Sequence, residues 1–384
     1  MNPENFRSKS AGDAVRTPKG YWAFIPKPLP PAIRWSPALI SAVGEAERSL
    51  GRLDSLASTF ASPYILVRPF VRREAVLSSR IEGTQASLSD VYAYEATQLS
   101  YLEPVSDVRE VHNYVKALDH GLARLSSLPV SLRLVREIHL VLMTGARGEH
   151  LTPGEFRRSQ NWIGPPGSSL ENAPFVPPPV DEMHRSLDAL EKFIHAPSEL
   201  PPLVRTALIH YQFEAIHPFL DGNGRIGRLL AILLLVEAGL LAQLWLYLSA
   251  YFEARRLEYY ERLLAVSQRG EWERWLSFFL SAISSQSEDA IARIDRLQRL
   301  RAAYHDRVSG ERVAARLMQV IDVLFERPIL NVRQLEAALE TPYRTAQRYI
   351  EKLQVLGILR EATGQARFRI YQADEILLAL ERPL

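Results

Sequence analysis

Apolar positions recur at helical spacing along most of this chain, and the places where the rhythm fails are few. The three-and-four spacing predicts helices over Ser36 to Leu56, Arg68 to Ser79, Leu88 to Leu102, Val105 to Leu125 and Ser131 to Met143. It resumes over Asp181 to His195, Leu203 to Ile216, Leu229 to Ala238, Ser249 to Arg269 and Glu271 to Arg301. Tyr21 to Pro37 breaks the pattern with Pro26, Pro28, Pro30 and Pro31. Proline fixes φ and removes the N–H, so this stretch reads as an extended arm. Thr152 to Val180 breaks it again, crowded with proline and glycine. Within it, Ser159 to Ile163 and Ala173 to Val176 read as two short strands around a turn. A loop that long inside a helical region is usually functional or disordered.

The end of the chain changes character. Val313 to Phe325, Asn331 to Glu340 and Pro342 to Leu356 read as three helices, with Pro342 suited to a first helical turn and Gly357 to a stop. Ile358 to Arg360 and Arg367 to Tyr371 then read as two strands. Three helices followed by a hairpin is the winged-helix pattern. The expected fold is mainly α: a helical core with a short β-hairpin, an N-terminal helical region and a C-terminal winged helix. The expected domains are 1–110, 111–308 and 309–384.

Composition narrows the function classes. Hydrophobic residues make up 47% of the 384 positions, enough to fill real cores and to argue against disorder. A net charge of +2 gives no global attraction to nucleic acid, so any such role needs a local basic patch. The absence of cysteine excludes disulfides, thiolate metal sites and cysteine nucleophiles, and fits a cytoplasmic location. Leu229 to Leu248 is apolar enough to test as a membrane span. Glu237, Gly239 and Gln243 interrupt it and a polar motif runs into it, so a buried helix-turn-helix is expected instead.

That polar motif carries the chemistry: His217-Pro218-Phe219-Leu220-Asp221-Gly222-Asn223-Gly224-Arg225-Ile226-Gly227-Arg228. Gly222-Asn223-Gly224 is a turn that brings backbone N–H groups close to anionic oxygens. It opens into a helix N-terminus, where unpaired amides and the dipole favour phosphate. Arg225 and Arg228 lie three apart on one face and can clamp neighbouring phosphates. Cations there oppose the dipole, a broken local rule that points to an anionic ligand. Asp221 supplies a hard carboxylate for Mg²⁺ beside those phosphates. His217 ends the preceding helix, and a neutral imidazole can take the proton of an attacking hydroxyl. Each fragment has a plain alternative, since histidines are mostly structural, Gly-Asn-Gly is often only a turn, and early-helix arginines are often solvated. Together, in this order, they specify a site for a nucleoside triphosphate.

The motif resembles the Fic family signature at every defining position. The resemblance implies transfer of AMP from ATP to Ser, Thr or Tyr hydroxyls of a protein, the chain itself included. It makes His217 the general base and Asp221 the Mg²⁺ ligand. Gly222, Asn223 and Gly224 become the anion hole, Arg225 the holder of the inner phosphates and Arg228 that of the γ-phosphate. Phe219 becomes a core anchor, with Pro218 and Leu220 in the nucleotide-binding loop. Phe156 to Val176 takes the place of the family's flap, which docks a target by strand addition. Gln212 would touch the nucleotide, and Tyr260 would line the adenine pocket, against a plain reading as aromatic packing. A homodimer is also implied.

Ser78-Ser79-Arg80-Ile81-Glu82-Gly83 resembles the family's inhibitory motif. Ser78 and Glu82 are four apart on one helix face, and Gly83 is a natural C-terminal stop. An anion in a last turn opposes the dipole and seeks a cation, for which the family supplies the second motif arginine, here Arg228. The alternative is a capping box of Ser79 and Glu82 at a helix start. In the tail, Tyr343, Arg344, Gln347 and Arg348, with Gln365, Arg367 and Arg369 on the wing, make DNA a candidate partner. Glu340, Glu351 and Glu361 dilute that patch. The reading is an autoinhibited protein adenylyltransferase using MgATP. The alternatives are transfer of phosphate or another nucleotide, and a transcriptional regulator built on a Fic-like core.

Overall fold

The computed structural model describes residues 1–57, 64–97, 106–146, 150–365 and 368–382. An antiparallel hairpin opens the chain, β1 (Gly12–Arg16) paired with β2 (Trp22–Pro26) from Gly12↔Pro26 to Arg16↔Trp22. Helices follow: α1 (Pro37–Ala57), α2 (Tyr64–Ile81), α3 (Leu88–Thr97), α4 (Ser106–Leu125), α5 (Leu132–Met143) and α6 (Val180–His195). Then come α7 (Pro202–Ile216), α8 (Asn223–Glu237), α9 (Ser249–Ala254), α10 (Arg256–Arg269) and α11 (Trp272–Val308). The tail holds α12 (Ala314–Glu326), β3 (Ile329–Leu330), α13 (Val332–Leu339), α14 (Tyr343–Val355), β4 (Arg360–Glu361), β5 (Tyr371–Gln372) and α15 (Asp374–Glu381).

The helices expected from periodicity are present, with instructive differences. The apolar run after the motif is one buried helix, α8, which ends at Glu237; no second helix precedes Ser249. No helix among the described residues is long and apolar enough to cross a membrane. The stretch expected as one helix from Ser249 is broken at Arg255, whose φ of −124° and ψ of 37° leave the helical region. The two expected flap strands shrink to a single bridge, Ile163↔Phe175. Pro165, Pro166, Pro174 and Pro177 lack the N–H groups that a longer ladder needs. The hairpin strand β1 went unread, because its five residues carry little apolar alternation. The expected helix ends past Thr97 and before Ser106, and the wing residue Arg367, lie outside the described residues.

The chain forms two compact units that do not follow chain order: Met1–Arg52, Asn113–Ala242 and Leu248–Gln286 in one, and Leu53–His112, Gln243–Tyr247 and Ser287–Leu384 in the other. In the first unit, α7 packs against α8 at the centre. Both helices are apolar on nearly every face, the pattern of a helix surrounded by protein. Gly227 makes the close approach possible: a Cβ there would lie 2.3 Å from Glu214 Oε1 on α7. Arg205 turns back from α7 to donate to the carbonyls of Phe193, Ile194 and Ala196, which closes the C-terminal end of α6.

In the second unit, α2 packs against α12, α3 and α15. The strands form a three-stranded antiparallel sheet in the order β3-β5-β4, with β3 against α3, while α12, α13 and α14 pack on one another. Asn331 and Gln334 close α13 with a reciprocal capping box. Buried Arg293 donates to the carbonyls of Ala379, Leu380 and Arg382 at the end of α15, and pairs with Asp289 at 2.8 Å.

Candidate active site

The motif loop lies between the two central helices of the first unit. Its first residue, His217, ends α7 in the left-handed region, with φ of 49° and ψ of 61°. That conformation is uncommon for a side chain larger than glycine, so the surroundings must hold it. They do so through the backbone. The His217 carbonyl accepts from Arg157 Nε at 3.1 Å and from Asn161 Nδ2 at 3.3 Å, while its N–H donates to Phe213 O. Among the described residues no acid pairs with Arg157. It is fully buried, donates to the carbonyls of Ser159 and Pro178, and burial lowers its pKa to about 10. Asn161 Nδ2 also reaches Phe219 O at 2.9 Å, and the Arg157 N–H donates to Pro218 O.

The His217 side chain is half-buried. Its Nδ1 lies 3.4 Å from Glu214 O. A backbone carbonyl only accepts, so at this contact Nδ1 carries the proton and Nε2 the basic lone pair. This tautomer suits a base that works through Nε2.

Asn223 holds the loop from inside. Its Oδ1 accepts from the Phe219 N–H at 2.8 Å, and its Nδ2 donates to Phe219 O at 2.9 Å. Both backbone groups of Phe219 are thereby satisfied by one amide, and its ring is fully buried, as expected of an anchor. Gly222 precedes α8 with φ of 78°, and no side chain caps that helix. Helix geometry leaves the first-turn amides without intrahelical acceptors, so Asn223, Gly224 and Arg225 offer N–H groups to an anion. Arg225 and Arg228 are both nearly fully buried on this first turn. Arg225 Nη2 stands 3.8 Å from Asp221 Oδ1. Two buried cations beside a helix N-terminus make a locally positive site, which an anionic ligand would relieve.

Asp221 is partly exposed, and its Oδ1 accepts from the Gly222 N–H at 2.6 Å. Among the described residues no group of three or more His, Cys, Asp or Glu gathers to hold a metal. One carboxylate fits Mg²⁺ that completes its shell with phosphate oxygens and water, and does not fit an all-protein cage.

The remaining expected residues are placed as follows. Gln212 is buried in α7, and its Nε2 donates to Lys27 O at 2.9 Å, just past β2. Its Oε1 is buried and meets no hydrogen-bond partner among the described residues. Tyr260 is partly exposed on α10, where its ring meets those of Tyr259 and the Arg256 guanidinium. Tyr259 itself belongs to the core, with its hydroxyl on His210 Nε2 at 2.8 Å. In the second unit, α2 ends at Ile81, Gly83 has φ of 101°, and Glu82 is exposed directly past the helix. Ser78 is fully buried on α2. Ser79 and Glu82 therefore stand at a helix end, and the capping-box alternative at a helix start does not hold. Thr84 and Gln85, which follow, are held by Glu110 at 3.1 Å and Asp107 at 2.8 Å.

Sequence reasoning missed three side chains that hold the loop: His139, Arg157 and Asn161. His139 is buried on α5 and stacks flat on Phe219, with ring centroids 3.7 Å apart. Burial lowers its pKa to about 4, so the ring is neutral near pH 7. A signal existed, since His139 falls on the apolar stripe with Val135, Ile138 and Leu142. For Arg157 nothing in the sequence announces a buried arginine without an acid.

Two family profiles match the chain: the Fic/DOC family N-terminal region over residues 40–123, and the Fic/DOC family over residues 129–235. The protein named "Protein adenylyltransferase Fic" of Nematostella vectensis is 30% identical over 170 residues, 42% of this chain and 36% of that protein. Its namesake in Drosophila erecta is 30% identical over 169 residues, 41% of this chain and 31% of that protein. The chain thus spans about a third of the length of the curated relatives it matches. A Fic family protein from Desulfovibrio desulfuricans shares the fold with a TM-score of 0.59 at 21% identity, over 90% of this chain and 98% of that one. Residues 134–508 of Fic-1 from C. elegans align with a TM-score of 0.51 at 20% identity, over 67% and 74% of the two chains.

Proposed function

The chain belongs to the Fic/DOC family, and on that premise we propose that it is a protein adenylyltransferase, moving AMP from ATP to a protein hydroxyl. The observation that carries this reading is the uncapped N-terminus of α8, lined by buried Arg225 and Arg228 and preceded by His217 at the end of α7. The target hydroxyl gives its proton to His217 Nε2 as its oxygen attacks the α-phosphorus. The bond from that phosphorus to the bridging oxygen toward the β-phosphorus breaks, and pyrophosphate leaves. Amides of the first turn of α8 receive the charge that develops on the α-phosphate oxygens. Arg225 would hold the inner phosphates and Arg228 the γ-phosphate, and Asp221 is the residue that would hold Mg²⁺. That ion, when bound, neutralises phosphate charge. Gln212 and Tyr260 are assigned to the nucleotide side of the site by the family resemblance alone. So is a homodimer, while a cytoplasmic setting is inferred from the cysteine-free composition.

Mass spectrometry after incubation with MgATP tests the reading. A gain of one AMP on the chain or on a lysate protein supports it, and His217→Ala removes that gain while ATP still binds. A gain of phosphate alone would transfer the assignment to a kinase-like reaction.

We also propose that Glu82, with Ser78, restrains this activity. Glu82 follows the C-terminal end of α2, where the helix dipole disfavours an anion and a cation is sought. Glu82→Gly raises AMP transfer at least tenfold in a radiolabelled-ATP assay; equal rates for the two proteins sink the restraint and leave the transferase reading standing.

A second reading concerns the tail, which we take as a winged helix. Arg344 and Arg348 are exposed, one turn apart on α14, and make no ion pair among the described residues. Tyr343 is exposed beside them under the Arg333 guanidinium. Such a face suits DNA phosphates, and a regulator would bind duplex DNA with a steep salt dependence.

A further inference from the structure

From the contacts of its ring, we propose that His139 is a positioning residue for Asp221, setting the peptide plane that aims its carboxylate. The inference rests on the nucleotide-site reading given above, and assigns a role to a side chain outside the motif.

The imidazole of His139 bridges two backbone segments with a fixed polarity. Gly154 N–H points at Nδ1 at 2.8 Å, and an amide hydrogen can only be donated. Nδ1 is therefore the acceptor, and in the neutral ring Nε2 carries the hydrogen. Nε2 lies 3.1 Å from Asp221 O and donates to it. That bond orients the peptide plane between Asp221 and Gly222. In a trans peptide the carbonyl and the N–H point in opposite directions, so fixing one aims the other. The Gly222 N–H is aimed at Asp221 Oδ1, which it meets at 2.6 Å. One ring thus sets the Asp221–Gly222 peptide plane and, through the Gly222 N–H, the carboxylate that would hold Mg²⁺.

The neighbours leave this ring little freedom. It lies flat on Phe219, with an interplanar angle of 5°. Gly222 also borders the ring: a Cβ there would touch it in ordinary van der Waals contact at 3.5 Å and stand 2.9 Å from Met143 Sδ. Gly154 is gripped a second time from α5, since Arg136 Nε donates to its carbonyl at 2.8 Å. The entry to the segment that carries Arg157 and Asn161 and the Asp221 peptide are therefore tied to the same helical turn.

Two substitutions separate the two bonds. A Gln side chain places its amide N–H where Nε2 stood and keeps the bond to Asp221 O. An Asn side chain keeps an acceptor near the position of Nδ1 and holds only Gly154. Calorimetric binding of ATP to the full chain, with and without Mg²⁺, is compared for wild type, His139→Gln and His139→Asn. The expected result is that His139→Asn binds ATP alone within about twofold of wild type but loses most of the gain on adding Mg²⁺, roughly tenfold in affinity. His139→Gln keeps that gain. If both variants unfold at lower temperature yet respond to Mg²⁺ as wild type does, the ring is only structural and the proposal is overturned. A wild type that binds no ATP in either condition overturns the nucleotide-site reading and the positioning role with it. A chain that binds MgATP but transfers nothing even as Glu82→Gly refutes the transferase reading alone and leaves the role of His139 to be decided by the two variants.

Discussion

Acidification should destabilise the core around α7 by an amount the structure allows to be worked out. His210 is fully buried in α7. Its Nδ1 donates to Gly227 O at 3.0 Å, which leaves Nε2 to accept from the Tyr259 hydroxyl at 2.8 Å. Its ring stacks with those of Trp275 and Phe252. A proton on Nε2 would break the bond from Tyr259 and put a charge into an aromatic core, with Arg228 nearby as a second cation. Burial foremost, with a smaller contribution from Arg228 against the Gly227 bond, lowers the pKa to about 3. An unfolded histidine titrates near 6.5. Because the folded value is depressed, the unfolded chain binds more protons between these two values, and stability falls as pH falls through that window. At pH 4.5 the loss is about two pKa units, or roughly 2.7 kcal/mol at 1.36 kcal/mol per unit. The assay is urea unfolding of wild type and His210→Gln at pH 7 and 4.5, followed by tryptophan fluorescence. Other titrating groups, His139 among them, act in both proteins and cancel in the difference. The stability advantage of wild type over the variant should shrink by about that amount on acidification. Parallel pH curves for the two proteins would refute the argument.

Two further expectations concern the motif loop. Arg157→Met removes charge-assisted donors from the carbonyls of His217, Ser159 and Pro178; at about 1.5–3 kcal/mol for each bond to a charged group, offset by the desolvation no longer incurred, a net loss of roughly 3 kcal/mol is expected. Urea midpoints measure it, and an unchanged midpoint together with unchanged AMP transfer would show that the His217 backbone holds its shape unaided. Gly222→Ala forces a side chain to φ of 78° and 2.9 Å from Met143 Sδ, for about 1–2 kcal/mol of backbone strain plus the clash. Met143→Ala in the same chain should restore part of the ATP affinity lost, because it relieves the clash and leaves the strain.

The periodicity of apolar residues was enough to place the helices, since a face that must be buried repeats every three to four residues whatever it packs against. It failed where the helix is central: α7 and α8 are buried on nearly every face, so their pattern carries no facing information, and the apolar residues after Glu237 suggested a second helix that is absent before Ser249. It failed also on two-residue strands such as β3, which are too short to show a period. In the candidate site the motif residues were legible because their chemistry is local. Asp221, the Gly222 turn, Asn223 and the two arginines lie within eight positions of one another, and a helix N-terminus needs no distant partner to favour an anion.

The supports were not legible. His139, Arg157 and Asn161 come from α5 and from the segment after it, far from the motif in sequence, and they act on backbone carbonyls that every sequence possesses. Nothing in a residue's identity says which carbonyl it will meet. The sequence by itself determined the kind of ligand this site can attract and the group able to take a proton. Only the tertiary structure decided how the loop is held, because a left-handed histidine persists only where buried donors, brought from elsewhere in the chain, satisfy the carbonyls around it.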